Sequence, residues 1–300
     1  MKTSKITLSI AAVMLAMAVS VISCKKKESA DSDTSGASDN SLAEKTADDV
    51  TNMGGQASED GSMSSYRYAG GEDVLGLSCA TVSVDTNIKK ITVTFSGQPC
   101  LDGHTRSGTL TYDYSGSAPG AKYYRNPGFK FVVSSSNYVV DGNAVSINKT
   151  VTNTTASGFD PKTTNLTWSI ADNVSIKKSN GTVTWSANKV KTLLNTSDTN
   201  VYRGQAVHIM WSLARVGITG NATGTTVAGE NFSANVTTQL VRDFTCAPNS
   251  LHPGHHPFIQ GALTFTPGSK APRYFDFGNG ACDDIATVTI NGNTYTITLP

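Results

Sequence analysis

The 300-residue chain lacks the short motifs that mark common catalytic and metal sites. It has no Gly-x-Ser-x-Gly elbow of a serine hydrolase, no Cys-x-x-Cys spacing for structural zinc and no Asp-x-Asp-x-Asp-Gly calcium loop. Its 24 basic and 23 acidic residues leave a net charge of +1, and beyond residue 65 the charges are spread without the basic block that favours nucleic acid. We therefore expect a non-enzyme with no cofactor and no nucleic-acid partner.

Glutamate is scarce in the second part of the chain. From Tyr66 onward only Glu72 and Glu230 remain, while Val, Thr, Ser, Asn, Gly and Tyr dominate. These are residues that suit half-buried pleated surfaces. The composition therefore favours β-structure, and about 235 residues suffice for a sizeable core in one large domain or two small ones.

Apolar and polar residues alternate over many short runs of this region. Alternation with a period of two predicts strands with one covered face. The runs are Ile91/Val93/Phe95, Leu110/Tyr112/Tyr114, Phe129/Phe131/Val133, Leu166/Trp168/Ile170, Val183/Trp185, Val207/Ile209/Trp211/Leu213, Leu263/Phe265 and Tyr295/Ile297/Leu299.

Turn dipeptides separate these runs. They are Asp102-Gly103, Asp141-Gly142, Asn180-Gly181, Asn279-Gly280 and Asn291-Gly292, and such residues accept the positive φ of tight hairpins. The connections are too short for helical crossovers, and no helix is predicted outside the first 23 residues. We expect an all-β fold, an antiparallel meander, sandwich or curled sheet, over residues 65–300, with two sub-units dividing near 155–165 as the alternative.

The N-terminus has the form of a secretory signal peptide over residues 1–23. Lys2 and Lys5 precede an uncharged, mostly apolar run from Ile6 to Ile22, and Cys24 follows a small residue. The segment 21–24 resembles the lipobox of bacterial lipoproteins. That resemblance implies that Cys24 becomes the lipid-modified N-terminus, whose acyl chains hold the protein to a membrane. The alternative is an uncleaved transmembrane anchor, because the run is near the lower length limit of a span.

Residues 24–64 differ from the rest. They are rich in Ser, Asp, Ala, Gly and Thr, contain no aromatic residue and carry a net charge of −5, four basic against nine acidic residues. Such a segment buries too little apolar surface to offset its ordering entropy. It is predicted to be a disordered tether between the membrane and the β domain.

Four cysteines remain besides Cys24. An even set in an exported chain predicts two disulfides, and four cysteines allow three pairings. We favour Cys79–Cys100, which flanks a short hairpin-like stretch, and Cys246–Cys282, which flanks the C-terminal strands.

Histidines offer only weak sites. His252, His255 and His256 could bind metal through imidazole nitrogen, but no fourth ligand is evident, so we expect a solvated loop. His104 lies near Asp102 and Ser107 in the sequence, which suggests the parts of a triad without the required geometry. Nearby, Arg106, like Arg242 farther along, is expected to pair with a carboxylate or bind an acidic group.

Several blocks together look like a group of uncharacterised lipoproteins from Bacteroidetes. The blocks are residues 105–108 (Thr-Arg-Ser-Gly), 240–243 (Leu-Val-Arg-Asp) before Cys246, 276–283 (Asp-Phe-Gly-Asn-Gly-Ala-Cys-Asp) and 286–292 (Ala-Thr-Val-Thr-Ile-Asn-Gly). The resemblance covers most of residues 75–299 and implies an exported β lipoprotein of no known activity.

We therefore expect an outer-membrane lipoprotein, on the periplasmic face or the cell surface, that acts as a binding, adhesion or structural module. Its ligand would be a glycan, a peptide or a lipid. One alternative is an envelope lipid-handling protein in which a curled sheet encloses an apolar groove. A second alternative is a hydrolase that uses His104 or the histidine loop.

Overall fold

Thirteen antiparallel strands form one sheet in the computed structural model, which describes residues 35–59, 79–100, 103–246 and 258–298. The strands follow chain order across the sheet, which is open, with β1 and β13 at its two edges. The predicted all-β antiparallel meander is confirmed. The strands are β1 (Ala80–Asp85), β2 (Lys90–Pro99), β3 (Thr105–Asp113), β4 (Lys130–Val140), β5 (Asn143–Asn153), β6 (Leu166–Lys178), β7 (Gly181–Leu193), β8 (Arg215–Thr225), β9 (Asn231–Asp243), β10 (Phe258–Pro267), β11 (Arg273–Asn279), β12 (Ile285–Ile290) and β13 (Asn293–Thr298).

Two-residue turns set the meander where the sequence predicts them. Asp141-Gly142 joins β4 to β5, and Asn291-Gly292 joins β12 to β13. All four residues have positive φ, between 47° and 79°. Both turns therefore have the backbone form that matches the right-handed twist of a hairpin.

The three strand pairs from β5 to β8 are regular, and register shifts occur in the pairs on both sides of them. β5 and β6 pair without interruption from Ala144 to Asn153, so the sheet continues across the region where a division near 155–165 was an alternative. Register shifts occur between β8 and β9 and in neighbouring pairs. At one of them Gly220 has φ +128°, and a Cβ there would lie 2.2 Å from the carbonyl oxygen of Asn188. Such bulges bend a sheet.

One α-helix, α1 (Ser35–Glu59), lies against the sheet. The prediction of a disordered tether over residues 24–64 is therefore wrong for residues 35–59, and so is the expectation of no helix in that stretch. The composition of α1 gave the wrong prediction because most of the apolar surface in its contact with the sheet belongs to the sheet. Ala43, Ala47, Val50 and Met53 are fully buried, and they pack against a sheet face that supplies most of the apolar area.

The sheet curls around α1. Among its described side chains only Ser35, Ser38, Ser41 and Lys45 are exposed. A helix with ~3.6 residues per turn that lay on a flat surface would expose about half of its side chains. We call the sheet face that contacts α1 the inner face and the opposite one the outer face.

The predicted strand over Val207–Leu213 is wrong. This stretch belongs to the β7–β8 connection and ends in a 3₁₀-helix, Trp211–Leu213. Its alternation does not separate two faces, because Ile209 is fully buried whereas Val207 and Leu213 are 40% and 41% exposed. The amide of Met210 instead donates to the carbonyl of Val201, which closes the connection on itself.

Two loops complete the cover of the inner face near the C-terminal part of α1. Tyr124, in the β3–β4 loop, stacks on Trp168 of β6 with ring centroids 4.9 Å apart, and the indole Nε1 of Trp168 donates to the carbonyl of Tyr124. Arg125 Nε donates to the carbonyl of Gln205 and so joins the two loops.

The described residues belong to one compact unit spanning Asp33–Pro300. Within them, no helix combines the length and the hydropathy of a membrane span.

Candidate functional sites on the two faces of the sheet

Acidic residues of α1 meet basic residues of the inner face. Arg106 on β3, which has no exposed side-chain area, contacts Asp49 with Nη2 3.1 Å from Oδ2. Next to it, the hydroxyl of Tyr112 donates to the carbonyl of Val50. Burial, with a smaller contribution from Tyr138, raises the pKa of Tyr112 well above its ordinary value. The expected pairing of Arg106 with a carboxylate is thus seen in the structure.

Lys189 on β7 binds two carboxylates of α1. Its Nζ lies 2.8 Å from Oδ1 of Asp48 and 3.5 Å from Oε1 of Glu44. Burial opposes the charge on both acids. For Glu44 burial wins and its pKa is raised, whereas for Asp48 the attraction of Lys189, Lys149 and Arg242 wins and its pKa falls to about 2. The neighbouring cations thus offset the cost of burying the charge of Asp48 but not that of Glu44.

Lys149 on β5 and Asp172 on β6 form a pair within the sheet. Neither side chain has any exposed area, and the Lys149 Nζ is 2.5 Å from Oδ1 of Asp172. Nζ also donates to the carbonyl of Ala47 in α1. Burial lowers the pKa of Lys149, although Asp172 opposes the shift. Oδ2 of Asp172 accepts no hydrogen bond from any residue that the structure describes.

The N-terminal half of α1 is held in the same way. Asp39 lies 3.2 Å from the Nζ of Lys178 and accepts a hydrogen bond from the amide of Val227. The indole Nε1 of Trp185 donates to Oδ1 of Asn40. Polar contacts therefore fix α1 along its length.

A small cavity lies beside α1. Its volume is about 20 Å³, and Asp48, Lys189, Lys191 and Arg242 contribute to its walls. That volume suits a single water molecule. Arg242 stacks over the ring of Phe258 at 4.6 Å, and it lowers the pKa of Asp48 through its charge.

Two rows in the middle of the outer face of β5–β9 are polar and uncharged, whereas Lys177 and the Arg215–Asp243 ion pair lie on the same face outside these rows. Facing positions of neighbouring strands carry Asn148, Asn173, Ser186, Thr223 and Ser233 in one row across the sheet. The hydroxyl of Ser186 donates to Oδ1 of Asn173, 2.5 Å away. In the next row the hydroxyls of Thr184 and Thr225 are 2.7 Å apart.

An open groove of about 730 Å³ follows these rows. No charged residue lines it. The lining consists of Ser146, Asn148, Asn173, Val174, Ser175, Thr184, Trp185, Ser186, Thr223, Gly224, Thr225, Asn231 and Phe232. Val174, Trp185 and Phe232 are buried residues that reach the groove only at its floor, and Gly224 has no side chain. The other lining residues offer amide and hydroxyl groups, each able to donate and accept.

The histidine of the suggested triad contacts a different acid. Nδ1 of His104 lies 2.6 Å from Oδ2 of Asp141, in the β4–β5 turn, whereas Asp102 lies outside the described residues. Burial raises the pKa of Asp141, but the hydrogen bonds from His104 and the Thr105 amide outweigh it, so this pKa is lowered. The pair is solvent-exposed and stabilises the turn.

Other predicted residues divide into two groups. Cys24 and the three histidines, His252, His255 and His256, lie outside the described residues. The four remaining cysteines pair as predicted, Cys79 with Cys100 and Cys246 with Cys282, with Cα atoms 5.0 and 5.5 Å apart. Among the residues described, no cluster of three His, Cys, Asp or Glu side chains could hold a metal ion.

Sequence reasoning missed the charges of the inner face. Lys149 and Lys189 occupy inward positions of their strands, in register with buried neighbours such as Ile147 and Ala187. A lysine at the apolar positions of an alternating strand is a readable signal, because an isolated buried charge is costly and needs a partner. Lys149 finds its acid, Asp172, on the neighbouring strand. The acids that pair with Lys189, however, lie on α1, which the composition assigned to the tether.

No family model matches the chain, and neither a curated protein nor a solved structure matches it significantly.

Proposed function

We propose that the chain is an envelope-anchored, non-catalytic binding module whose outer groove takes a neutral, hydroxyl-rich ligand, a glycan. The observation that carries this proposal is the uncharged groove of about 730 Å³ on β5–β9. Its Asn, Ser and Thr side chains can satisfy both the donors and the acceptors of sugar hydroxyls. The absence of charge in the lining disfavours ionic ligands there.

The span of the groove supports an extended ligand. Five strands at about 4.8 Å spacing place the rows across roughly 20 Å. Asn148 and Asn173 face each other on β5 and β6, so two amides lie side by side. Such a pair can make several hydrogen bonds to one sugar ring.

A comparison of matched asparagine variants tests glycan binding. We expect the full chain to bind a subset of a glycan array, and Asn173→Ala to weaken that binding about tenfold, since one or two hydrogen bonds are lost. Asn235→Ala is the control, because Asn235 is an exposed outer-face residue of β9 that does not line the groove. Absence of glycan binding, or equal losses in both variants, would contradict the proposal.

The anchor is the lipid that the N-terminal pattern implies at Cys24, in an outer membrane, with the periplasmic face and the cell surface as the two locations. The ordered helix shortens the connection to it, since only residues 25–34 separate Cys24 from α1. At about 3.5 Å per extended residue, the body would stay within roughly 35 Å of the anchor. A Cys24→Ser variant should leave the membrane fraction. Retention there would favour an uncleaved transmembrane segment.

A further inference from the structure

The chemistry of α1 does not match that of the face it covers. The inner face presents aromatic rings and aliphatic side chains in one continuous core, whereas α1 offers few apolar side chains larger than alanine, namely Leu42, Val50 and Met53. Two glycines, Gly54 and Gly55, pack directly on tyrosine rings of the sheet and the β3–β4 loop. The helix thus fills space without burying much apolar surface of its own.

Charge holds α1 in place instead. The segment Ser35–Glu59 contains five acids and one lysine, and its acids contact Arg106, Lys178 and Lys189 of the sheet. Ion pairs taken out of water gain little net free energy, because desolvation offsets the attraction. An occupant with one acidic group and a larger apolar body would pair with one of these cations and bury more apolar surface.

We propose that the inner face is a binding site for a long-chain fatty acid, and that α1 is a resident occupant that this ligand displaces. The carboxylate takes the place either of Asp48 beside Lys189 or of Asp49 beside Arg106. The second position suits it well, because guanidinium groups bind carboxylates through two parallel hydrogen bonds. The acyl chain takes the place of the small side chains of α1 on the apolar face. The inference fits the lipid-handling alternative and does not rest on glycan binding at the outer groove, so the two fail separately.

Hydrogen exchange on the full chain tests displacement, with palmitate as the probe. We expect palmitate to accelerate exchange of the amides of residues 43–54 about tenfold or more, while the amides of β6 and β7 stay protected, because local opening sets exchange rates. The uncharged monopalmitoylglycerol should have much less effect. Palmitate binding without faster exchange in α1, or equal effects of both lipids, would overturn the proposal.

Gly54 provides a variant that loosens α1 alone. A Cβ at this position would lie 2.4 Å from Cε1 of Tyr112, so Gly54→Leu cannot keep the helix seated. Apparent affinity rises with the fraction of open molecules, and we expect Gly54→Leu to bind palmitate several-fold more tightly. Ser41→Leu, on the exposed side of the helix, should leave the affinity unchanged.

Asp49→Asn guards against misfolding of the glycine variant. It removes the charge that contacts Arg106 without adding volume, and it should also tighten palmitate binding. If β6 and β7 lose protection in Gly54→Leu, the asparagine variant decides. Unchanged or weaker binding in a variant whose sheet stays protected would show that α1 is a permanent part of the core.

Discussion

Consecutive residues of the central strands point to opposite faces of the sheet, and midway along these strands the charged ones point to the covered face. On β5, Asn148 points outward and Lys149 inward, and on β7, Asn188 points outward and Lys189 inward. In a typical antiparallel sheet with one solvated face, charge lies outside and the covered face is apolar. At the middle of these strands the charges lie under α1 and neutral side chains face solvent, and outer-face charges such as Lys177 and Arg215 occur only towards the strand ends.

The difference shows that charge placement in this sheet follows the helix. Replacing a buried ion pair by apolar side chains of similar volume often costs a protein little or no stability, so stability alone does not explain Lys149 and Asp172. The inward lysines instead give the acids of α1 defined positions along the face, as the contacts of Asp48 with Lys189 show. The uncharged rows of the outer face hold no helix in position, and they line the open groove that could take a ligand.

The most direct test of this comparison substitutes two neighbouring residues of one strand, one on each face, in separate variants. Lys149→Met would leave the carboxylate of Asp172 buried without its counter-charge, and we expect the free energy of unfolding to fall by roughly 3–5 kcal/mol. Asn148→Ala, one residue away on the outer face, should change it by about 0.5 kcal/mol or less. Urea denaturation measures both values. Similar losses in the two variants would show that the faces do not differ energetically.

A double variant separates charge from packing at the same position. Lys149→Met combined with Asp172→Leu removes both members of the pair, and it should recover most of the stability lost in Lys149→Met. A double variant as unstable as the single one would mean that the volume of Lys149, or its bond to Ala47, matters more than its charge.

The sheet was predictable because each strand signals itself locally. The alternation around Trp168 and the turn Asp141-Gly142 are set by neighbouring residues, and the structure places both as expected. The segment 207–213 failed because its alternation is not matched by a pairing partner. Strand signals hold where a neighbouring strand is available, and a loop that bonds to itself can imitate one.

The inner site could not be predicted in the same way. Its charges become understandable only once Asp48 meets Lys189, which lies 141 residues later. Nothing local in α1 indicates burial, since its side chains are small and polar. A lysine at an inward position of a strand was the available clue, and it indicates a missing acidic partner without saying where that partner lies.

Stability in acid depends on the inner face, because its carboxylates titrate whereas the outer rows contain no acidic or basic side chain. The pKa of Asp48 falls from 3.8 to about 2 on folding. A lowered folded pKa contributes stability that is present above the unfolded value and lost as pH falls through the folded one. We expect this contribution, about 2 kcal/mol, to disappear between about pH 4 and pH 2, and Asp48→Asn to flatten that part of the stability curve.

Glu44 should act with the opposite sign. Its pKa is raised, so the stability that it contributes is present below its unfolded pKa, near 4.5, and is lost as pH rises through its folded value. Glu44→Gln should therefore leave stability at neutral pH unchanged or higher. Thr184→Ala on the outer face should shift the whole curve equally. If that outer variant changed the acid slope instead, the titration could not be assigned to the charges beneath α1.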